Sequence, residues 1–323
     1  MKAQVYSRYG GPDQLRLAEV ARPRARPDGV LVRVEAASLN AYDWRLLRGD
    51  PAAVRLLQGL FRPKNQVLGS DMAGTVAAVG ADVGSLKVGD QVFGSSGASW
   101  TGGLAEFAAA RAAGLAVKPA NLSFEQAAAL PMAGVTALAA VREVVGVKDG
   151  MDVLVNGAAG GVGTFAVQLA KALGARVTGV CGANHAELVR GIGADRVVDY
   201  AKEDFTAAGE AYDGIVDVAA NRSVAELRRA LKPGGVIASV GFGGVGHTAA
   251  VGLAAARKRA PKRVALVAAD NKDGRLLRDL LALVEAGAVR PVIDRVYPFE
   301  QAAQAFAHIG RGHAGGKVVI RVG

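Results

Sequence analysis

The sequence predicts an α/β protein in which a doubly wound parallel sheet accompanies a separate β-rich domain. From residue 123 to residue 241, apolar strands alternate with glycine turns and amphipathic helices, which is the pattern of a parallel sheet with crossover helices. The first 120 residues instead carry short Val-rich runs, such as 30–34 and 74–79, separated by Gly, Pro and Asp. Turn signals this frequent are typical of an antiparallel barrel or sandwich. A length of 323 residues is sufficient for two domains.

Glycine, serine and proline punctuate the predicted elements. We predict strands at 152–156, 176–180, 214–218 and 235–241, and helices at 163–173, 185–192 and 223–231. A helix at 127–144 follows the N-cap Ser123 and should break near Leu130, because Pro131 lies inside it. Later, a helix at 274–286 precedes β-like stretches at 289–296 and 317–322. We therefore expect domain boundaries near residues 123 and 270.

The composition indicates a globular protein with an aliphatic core. Hydrophobic residues make up 51% of the chain, charged residues 21% and aromatic residues only 5%, which excludes a disordered or fibrous protein. The net charge of +10 is distributed over the whole length, which favours a general compositional bias over a nucleic-acid groove. The densest basic cluster, at 257–263, predicts a solvated helix end, with phosphate contact as the alternative.

Cysteine content and hydropathy predict a cytoplasmic protein. Cys181 is the single cysteine, which excludes an intramolecular disulfide and a cysteine-rich zinc knuckle and fits a reducing compartment. No apolar segment of an export signal follows the first residues. The uncharged runs at 153–170 and 236–256 are interrupted by glycines, so we interpret them as strand, turn and helix start rather than membrane spans.

A glycine-dense turn lies between the strand at 152–156 and the following helix. A pyrophosphate can contact backbone N–H groups only where no Cβ intrudes, and the helix start directs its positive end at the anion. A plain tight turn is the alternative, but the position between strand and helix favours a dinucleotide site. The predicted cofactor contacts here are Asn156, Gly157, Ala159, Gly160, Gly161, Val162 and Gly163.

The end of the second strand predicts the choice of cofactor. An NAD site normally has Asp or Glu there to accept from the ribose 2′-hydroxyl, whereas an NADP site lacks this acid. In this sequence no acid follows the strand at 176–180 until Glu187. The sequence therefore predicts NADPH as the cofactor.

Several short motifs follow one another along nearly the whole chain. They are NAYDW at 40–44, LGSDMAG at 68–74, VGDQV at 88–92, GGLAEF at 102–107, GVTA at 134–137, the glycine turn at 156–163, GIGAD at 191–195, VDY at 198–200 and GKVV at 316–319. In this order they resemble the zinc-independent quinone oxidoreductase branch of the medium-chain dehydrogenase/reductase superfamily.

The resemblance implies two domains with the nicotinamide in a cleft between them. A GroES-like β-rich catalytic domain would comprise residues 1–122 and 270–323, and a Rossmann dinucleotide-binding domain residues 123–269. It also implies a homodimer, often formed by pairing edge strands of the Rossmann sheet, for which the strand at 236–240 is the candidate. Related sequences often place Ser, Arg or Lys at the 2′-phosphate site. Here that role would fall to Asn184, His185 and Tyr200 with either Lys317 or Arg190, and further cofactor contacts to Thr136 and Gly241.

The resemblance also implies chemistry without a metal. Zinc-dependent relatives have Cys at the first motif and Gly-His-Glu at the second, where this sequence has Asn40 and Gly69-Ser70-Asp71. Zinc prefers imidazole or thiolate and at least three protein ligands, and all four histidines lie far along the chain. We therefore expect no metal site.

Without a Lewis acid, an electrophilic conjugated acceptor is the favoured substrate. A quinone or an α,β-unsaturated ketone accepts hydride and then requires only preorganised donors for the developing oxyanion. The candidates are Asn40 and Tyr42 as donors and Asp43 as an orienting group; packing for Tyr42 and turn capping for Asn40 and Asp43 are the alternatives. We expect a small-molecule substrate, no nucleic acid and no membrane span. An enoyl or alkenal reductase, or a non-catalytic NADPH-binding protein of the crystallin-like or RNA-binding kind, remains an alternative.

Overall fold

The computed structural model describes most of the chain. The described residues are 1–96, 102–207, 209, 211–241, 244–257, 260–267 and 273–323. The expected boundary at 269–270 and Lys258 and Arg259 of the basic cluster lie outside them. No helix in the described ranges combines the length and apolar character needed to cross a membrane.

The described residues form fifteen strands and ten α-helices, numbered in chain order. The strands are β1 (Lys2–Val5), β2 (Arg16–Glu19), β3 (Gly29–Leu39), β4 (Asp71–Val79), β5 (Gln91–Ser95), β6 (Phe107–Arg111), β7 (Leu115–Val117), β8 (Asp152–Asn156), β9 (Arg176–Cys181), β10 (Arg196–Asp199), β11 (Tyr212–Asp217), β12 (Leu231–Ser239), β13 (Arg263–Leu266), β14 (Ile293–Pro298) and β15 (Lys317–Arg321). The helices are α1 (Ala41–Arg48), α2 (Ala52–Gln58), α3 (Phe124–Ala128), α4 (Pro131–Leu138), α5 (Gly161–Ala172), α6 (Ala186–Gly191), α7 (Val224–Ala230), α8 (Val245–Ala256), α9 (Arg275–Glu285) and α10 (Ala302–Gly310).

The chain divides into two compact units. The first, called unit 1, comprises Met1–Met132, Asn271–Asp279 and Pro291–Gly323, and the second, unit 2, comprises Ala133–Asp270 and Leu280–Arg290. Unit 1 extends beyond the expected boundary at 122, because α3 packs against β3 and β4.

Unit 1 contains a mainly antiparallel seven-stranded sheet. The order is β14-β15-β3-β4-β5-β7, and β6 also pairs with β3. The long strand β3 carries the core because its neighbours cover both of its edges and its residues are largely buried. Register pairs Ser38 with both Asp71 and Val319, so the end of β3 and the starts of β4 and β15 meet at one edge of the sheet.

Unit 2 contains a six-stranded parallel sheet with the order β10-β9-β8-β11-β12-β13. The chain passes from β8 outwards to β10 and then returns to β11 on the other side of β8, so the sheet is doubly wound, as predicted. Its topological switch point lies between β8 and β11, where a ligand crevice forms at the carboxyl ends of the strands.

The structure confirms several predicted elements and corrects others. Strand β8 has the predicted bounds, and the helix after Ser123 does break, with Pro131 beginning α4. The prediction that 236–240 is an edge strand is wrong. Residues 236–239 form the end of β12, and β12 pairs with β11 on one side and with β13 on the other. Residues 41–43 begin helix α1 rather than a turn, since Leu46 and Leu47 supply a buried face, and the capping considered for Asn40 and Asp43 is present as a capping box.

Candidate active site

Asn40 is the centre of a buried polar network in unit 1. Its Nδ2 donates to Oγ of Ser70 and to Oδ2 of Asp71, both at 2.9 Å, and its Oδ1 accepts from Nζ of Lys317 at 2.5 Å. The reverse amide orientation would turn the NH2 group to an ammonium and the oxygen to a carboxylate, so this orientation is determined by charge. Both amide hydrogens are thereby used. The prediction that Asn40 donates directly to substrate or nicotinamide is not supported by this arrangement.

Asp43 joins the start of α1 to the turn before β4. Its carboxylate accepts from the backbone N–H of Asn40 at 2.9 Å, completing a capping box, and from Ser70 Oγ at 2.7 Å and Gly69 N at 3.1 Å. The side chain is fully buried. Burial raises the pKa of Asp43 to about 6, while the hydrogen bond from Ser70 acts in the opposite direction. Asp43 therefore orients Asn40 and Ser70 rather than contacting solvent.

Asp71 and Lys317 form a buried ion pair beside Asn40. Lys317 Nζ lies 3.7 Å from Asp71 Oδ2 and donates to Leu39 O at 3.1 Å. Asp71 also accepts from Met132 N, at 3.1 and 3.2 Å to its two oxygens. Burial raises the pKa of Asp71 and lowers that of Lys317, and each opposite charge works against the shift. The predicted 2′-phosphate role of Lys317 is corrected, since its ammonium is buried and bound within unit 1.

Ser70 and Asp71 entered the sequence analysis only as residues at zinc positions, and their part in the network was missed. The partners of Asn40 lie 30, 31 and 277 positions away in the chain, beyond the reach of any local pattern. One signal existed: Lys317 begins a closing strand whose next residues are apolar, and a lysine in such a strand requires a buried partner.

Tyr42 lies half-buried on α1, packed against the core of unit 1. It makes a side-chain hydrogen bond with Gln58, the last residue of α2. Burial raises the pKa of the Tyr42 phenol, and the Asp43 carboxylate raises it further. The phenol is consequently protonated at neutral pH and remains a hydrogen-bond donor.

The residues of this network do not fit a zinc ion. They offer an amide, a hydroxyl and the two carboxylates of Asp43 and Asp71, without the imidazole or thiolate that zinc prefers. The carboxylate of Asp71 is already paired with the ammonium of Lys317, which would repel a cation. Across the part of the chain that the structure describes, no three His, Cys, Asp or Glu side chains are grouped to hold a metal.

The glycine turn of unit 2 precedes α5. Gly157 has a φ of +86°, a conformation that favours glycine, and Gly160 is the N-cap. A Cβ on Gly160 would meet only Gly157 O, at 3.5 Å, whereas a Cβ on Gly163 would collide with the carbonyl of Gly157. Gly163 therefore packs the helix on its own turn, and its predicted contact with the phosphate stays a prediction. The first-turn N–H groups of α5 have no intrahelical acceptor, so the turn fits an anionic phosphate.

The carboxyl end of β9 carries the predicted 2′-phosphate residues. Gly182 caps a short turn that contains Asn184 and His185, and a Cβ on Gly182 would lie 3.2 Å from Tyr200 Oη. Tyr200 is 49% exposed. Asp199 lies in register beside Cys181, and one oxygen of its carboxylate accepts from Ala201 N.

The remaining predicted cofactor residues also lie in unit 2. Asn156 is buried and its Nδ2 donates to Asp217 Oδ1 at 2.8 Å and to Asn221 Oδ1 at 2.9 Å, so its amide hydrogens are used within the protein. Gly241 packs against the 218–220 turn, where a Cβ would collide with Val218 O. Thr136 is half-buried on α4, and its cofactor role stays a prediction.

Comparisons with known proteins agree with this architecture. The chain matches the alcohol dehydrogenase GroES-like domain over residues 26–120 and the zinc-binding dehydrogenase model over residues 192–320. It is 36% identical to the 2-methylene-furan-3-one reductase of Solanum lycopersicum, over 99% of this chain and 79% of that protein. It is 35% identical to the chloroplastic NADPH-dependent alkenal/one oxidoreductase of Arabidopsis thaliana, with the same coverage of 99% and 79%. The quinone oxidoreductase structure from Coxiella burnetii covers 100% of this chain and 99% of its own, at 32% identity and a TM-score of 0.86.

Proposed function

Because the chain belongs to the quinone oxidoreductase-like branch of the medium-chain dehydrogenase/reductase superfamily, we propose that it is an NADPH-dependent reductase of conjugated carbonyl compounds that works without a metal. The family and the fold class, a Rossmann sheet with a GroES-like domain, agree with the sequence prediction. The related enzymes are named for a methylene ketone, for alkenals and enones, and for quinones. Their common feature is a carbon electrophile conjugated to a carbonyl oxygen.

The buried network around Asn40 is the observation that carries the proposal. The Asp71 carboxylate is paired with the Lys317 ammonium and is therefore not available to hold a metal ion. This edge of the sheet consequently supplies no metal Lewis acid. A simple carbonyl needs its oxygen polarised, which a Lewis acid would do, whereas a conjugated acceptor needs less help. Hydride adds to the conjugated system, the displaced electron pair moves to the carbonyl oxygen, and a proton completes the reduction. NADPH supplies the hydride when it is bound.

Tyr42 is the proposed donor to the developing oxyanion. Its phenol stays protonated at neutral pH because burial and the Asp43 carboxylate raise its pKa. Asn40 acts as a positioning residue, since its amide hydrogens are held by Ser70 and Asp71. Asp43 and Lys317 hold Asn40 from either side.

The glycine turn and the end of β9 are the proposed cofactor contacts. The open space above Gly160 and the first-turn N–H groups of α5, which lack intrahelical acceptors, fit the pyrophosphate. Tyr200, Asn184 and His185 surround the position where an NAD site would have an acid. These donors would bind a 2′-phosphate, which no carboxylate at Gly182 repels.

Domain roles and assembly are also proposals. Residues 1–122 and 270–323 would form the catalytic domain and residues 123–269 the dinucleotide-binding domain. Strand β13 replaces 236–240 as the candidate dimer edge, because it pairs with β12 on one side only among the described strands. A cytoplasmic location stays a prediction.

A substrate panel tests the proposal. NADPH oxidation is measured with quinones, enones, enoyl thioesters and simple aldehydes, before and after treatment with a chelator. We expect turnover with quinones or enones, little with simple aldehydes, and no effect of chelation. Stoichiometric zinc that is lost together with activity would contradict the metal-free mechanism. NADPH binding without oxidation by any acceptor would favour the non-catalytic alternative.

A further inference from the structure

A row of polar side chains crosses the carboxyl edge of the parallel sheet. In register, Asn156, Asp217 and Ser239 lie side by side on β8, β11 and β12. Two residues earlier on each strand, and so on the same face, the side chains belong to the core of unit 2: Leu154, Ile215 and Ile237. On this face of the sheet, apolar core side chains are therefore followed by polar side chains at the carboxyl ends of the strands.

His247, in the first turn of α8, faces this row. His247, Val251 and Ala254 are spaced four and three residues apart and share one face of the helix. Val251 and Ala254 pack into the same core as Ile237. The first turn of α8 follows the end of β12, so His247 lies near the strand ends. Burial raises the pKa of the Asp217 carboxyl, and His247 acts weakly in the opposite direction.

Three atoms of this cluster are buried without a hydrogen-bond partner among the described residues. They are Asp217 Oδ2, Ser239 Oγ and His247 Nε2. Asp217 is fully buried and Ser239 is 3% exposed. The other carboxylate oxygen of Asp217 is used, since it accepts from Asn156 Nδ2 and from Ala220 N. A buried polar atom left unpaired costs about 1–3 kcal/mol, so three together indicate a site that a polar ligand completes.

The topology indicates which part of a dinucleotide reaches this row. The two halves of the sheet, β8-β9-β10 and β11-β12-β13, each take one nucleotide of a dinucleotide that crosses the switch point. The adenosine half belongs to the end of β9, at Gly182. The ends of β11 and β12, with Asp217 and Ser239, therefore face the other nucleotide.

We propose that Asp217, Ser239 and His247 bind the ribose hydroxyls of the nicotinamide half of the cofactor, an inference that rests on the proposed function. The Asp217 carboxylate would accept a hydrogen bond from one ribose hydroxyl. The Ser239 hydroxyl and the His247 imidazole would form hydrogen bonds with the adjacent ribose hydroxyl, so the three groups match the vicinal diol of a ribose. A phosphate fits this place poorly, because the Asp217 carboxylate would repel it.

Fragment binding tests the inference. Dissociation constants for NADPH, reduced nicotinamide mononucleotide and 2′,5′-ADP are measured by calorimetry for the parent, Asp217→Asn and Ser239→Ala. We expect the mononucleotide and NADPH to bind about tenfold more weakly to Asp217→Asn and about threefold more weakly to Ser239→Ala, with 2′,5′-ADP unchanged. Asn184→Ala is the matched control at the other end and should weaken 2′,5′-ADP and NADPH but not the mononucleotide.

Two results would overturn the inference while leaving the proposed function intact. One is unchanged mononucleotide affinity in both variants; the other is equal weakening of both fragments, which indicates a general structural role. Ser239→Ala removes a single atom, so it provides the measurement if Asp217→Asn does not fold. A parent protein that binds neither NADPH nor either fragment would instead contradict the proposed function, and this inference with it.

Discussion

Lys317 Nζ lies 2.5 Å from Asn40 Oδ1, although 277 positions separate the two residues in the chain. This contact joins the closing strand β15 to the start of α1 and directs the Asn40 amide hydrogens towards Ser70 and Asp71. Residues from the first and the last parts of the sequence thereby form one buried polar cluster in unit 1. The first two predictions concern this cluster.

Replacing Lys317 by Met should destabilise the protein by about 3–5 kcal/mol, because it leaves the Asp71 carboxylate buried and unpaired. Urea unfolding measures the loss. The double variant Lys317→Met/Asp71→Asn removes the stranded charge and should recover at least about 2 kcal/mol of it. A single variant that loses less than about 1 kcal/mol would show that the pair contributes no more than an exposed one.

Asp43 should make the protein less stable as the pH rises. Its folded pKa of about 6 lies above the ordinary value of 3.8, so its protonated form stabilises the folded state, fully below pH 3.8, and this contribution disappears as the pH passes 6. The parent should lose about 2–3 kcal/mol relative to Asp43→Asn between pH 4 and pH 7. Urea unfolding of both proteins at the two pH values isolates the effect, and parallel pH profiles would argue against it.

Tyr42→Phe should lower kcat by about a hundredfold, since it removes the proposed oxyanion donor, while folding is retained. Tyr9→Phe is the matched control: Tyr9 donates to Gly59 O at 2.6 Å in the same unit but has no proposed role in catalysis. Steady-state kinetics with a quinone and an enone provide the readout. Equal effects of the two substitutions would indicate that Tyr42 only packs the domain.

Gly160→Val and Gly163→Val should fail in different ways. The Gly160 variant should keep its melting temperature and lose NADPH binding, because the added side chain enters open space at the first turn of α5. The Gly163 variant should be destabilised by at least about 2 kcal/mol, because its Cβ collides with the turn itself. Thermal unfolding and NADPH titration separate the outcomes. A folded Gly160 variant that binds NADPH as the parent does would show that the cradle is misassigned.

Gly182→Asp should reverse the cofactor preference. We expect the parent to bind NADPH roughly tenfold more tightly than NADH, and the variant to prefer NADH because its carboxylate accepts from the ribose and repels the 2′-phosphate. A Cβ at this position approaches Tyr200 Oη at 3.2 Å, so crowding needs a control. Gly182→Asn has nearly the same shape without the charge, and dissociation constants at constant salt distinguish the two effects. Equal NADH and NADPH affinities in the parent would contradict the NADPH assignment.

The sequence by itself determined the elements and motifs that depend on neighbouring residues. Apolar runs bounded by glycine predicted β8 to its last residue, and Pro131 predicted the break before α4, because strand period and proline geometry act within a few positions. The glycine turn before α5 and the absence of an acid after β9 were visible for the same reason.

Only the tertiary structure decided which polar atoms find partners. The amide of Asn40 is held by Lys317 and Asp71, and the glycine at 163 serves the packing of its own helix. Asp217 and Ser239 lie side by side through a strand pairing that no spacing in the chain predicts, and each keeps an unpaired oxygen among the described residues. The pairing of a buried polar group depends on what lies within about 3 Å of it in space, and in this fold those neighbours come from distant parts of the chain.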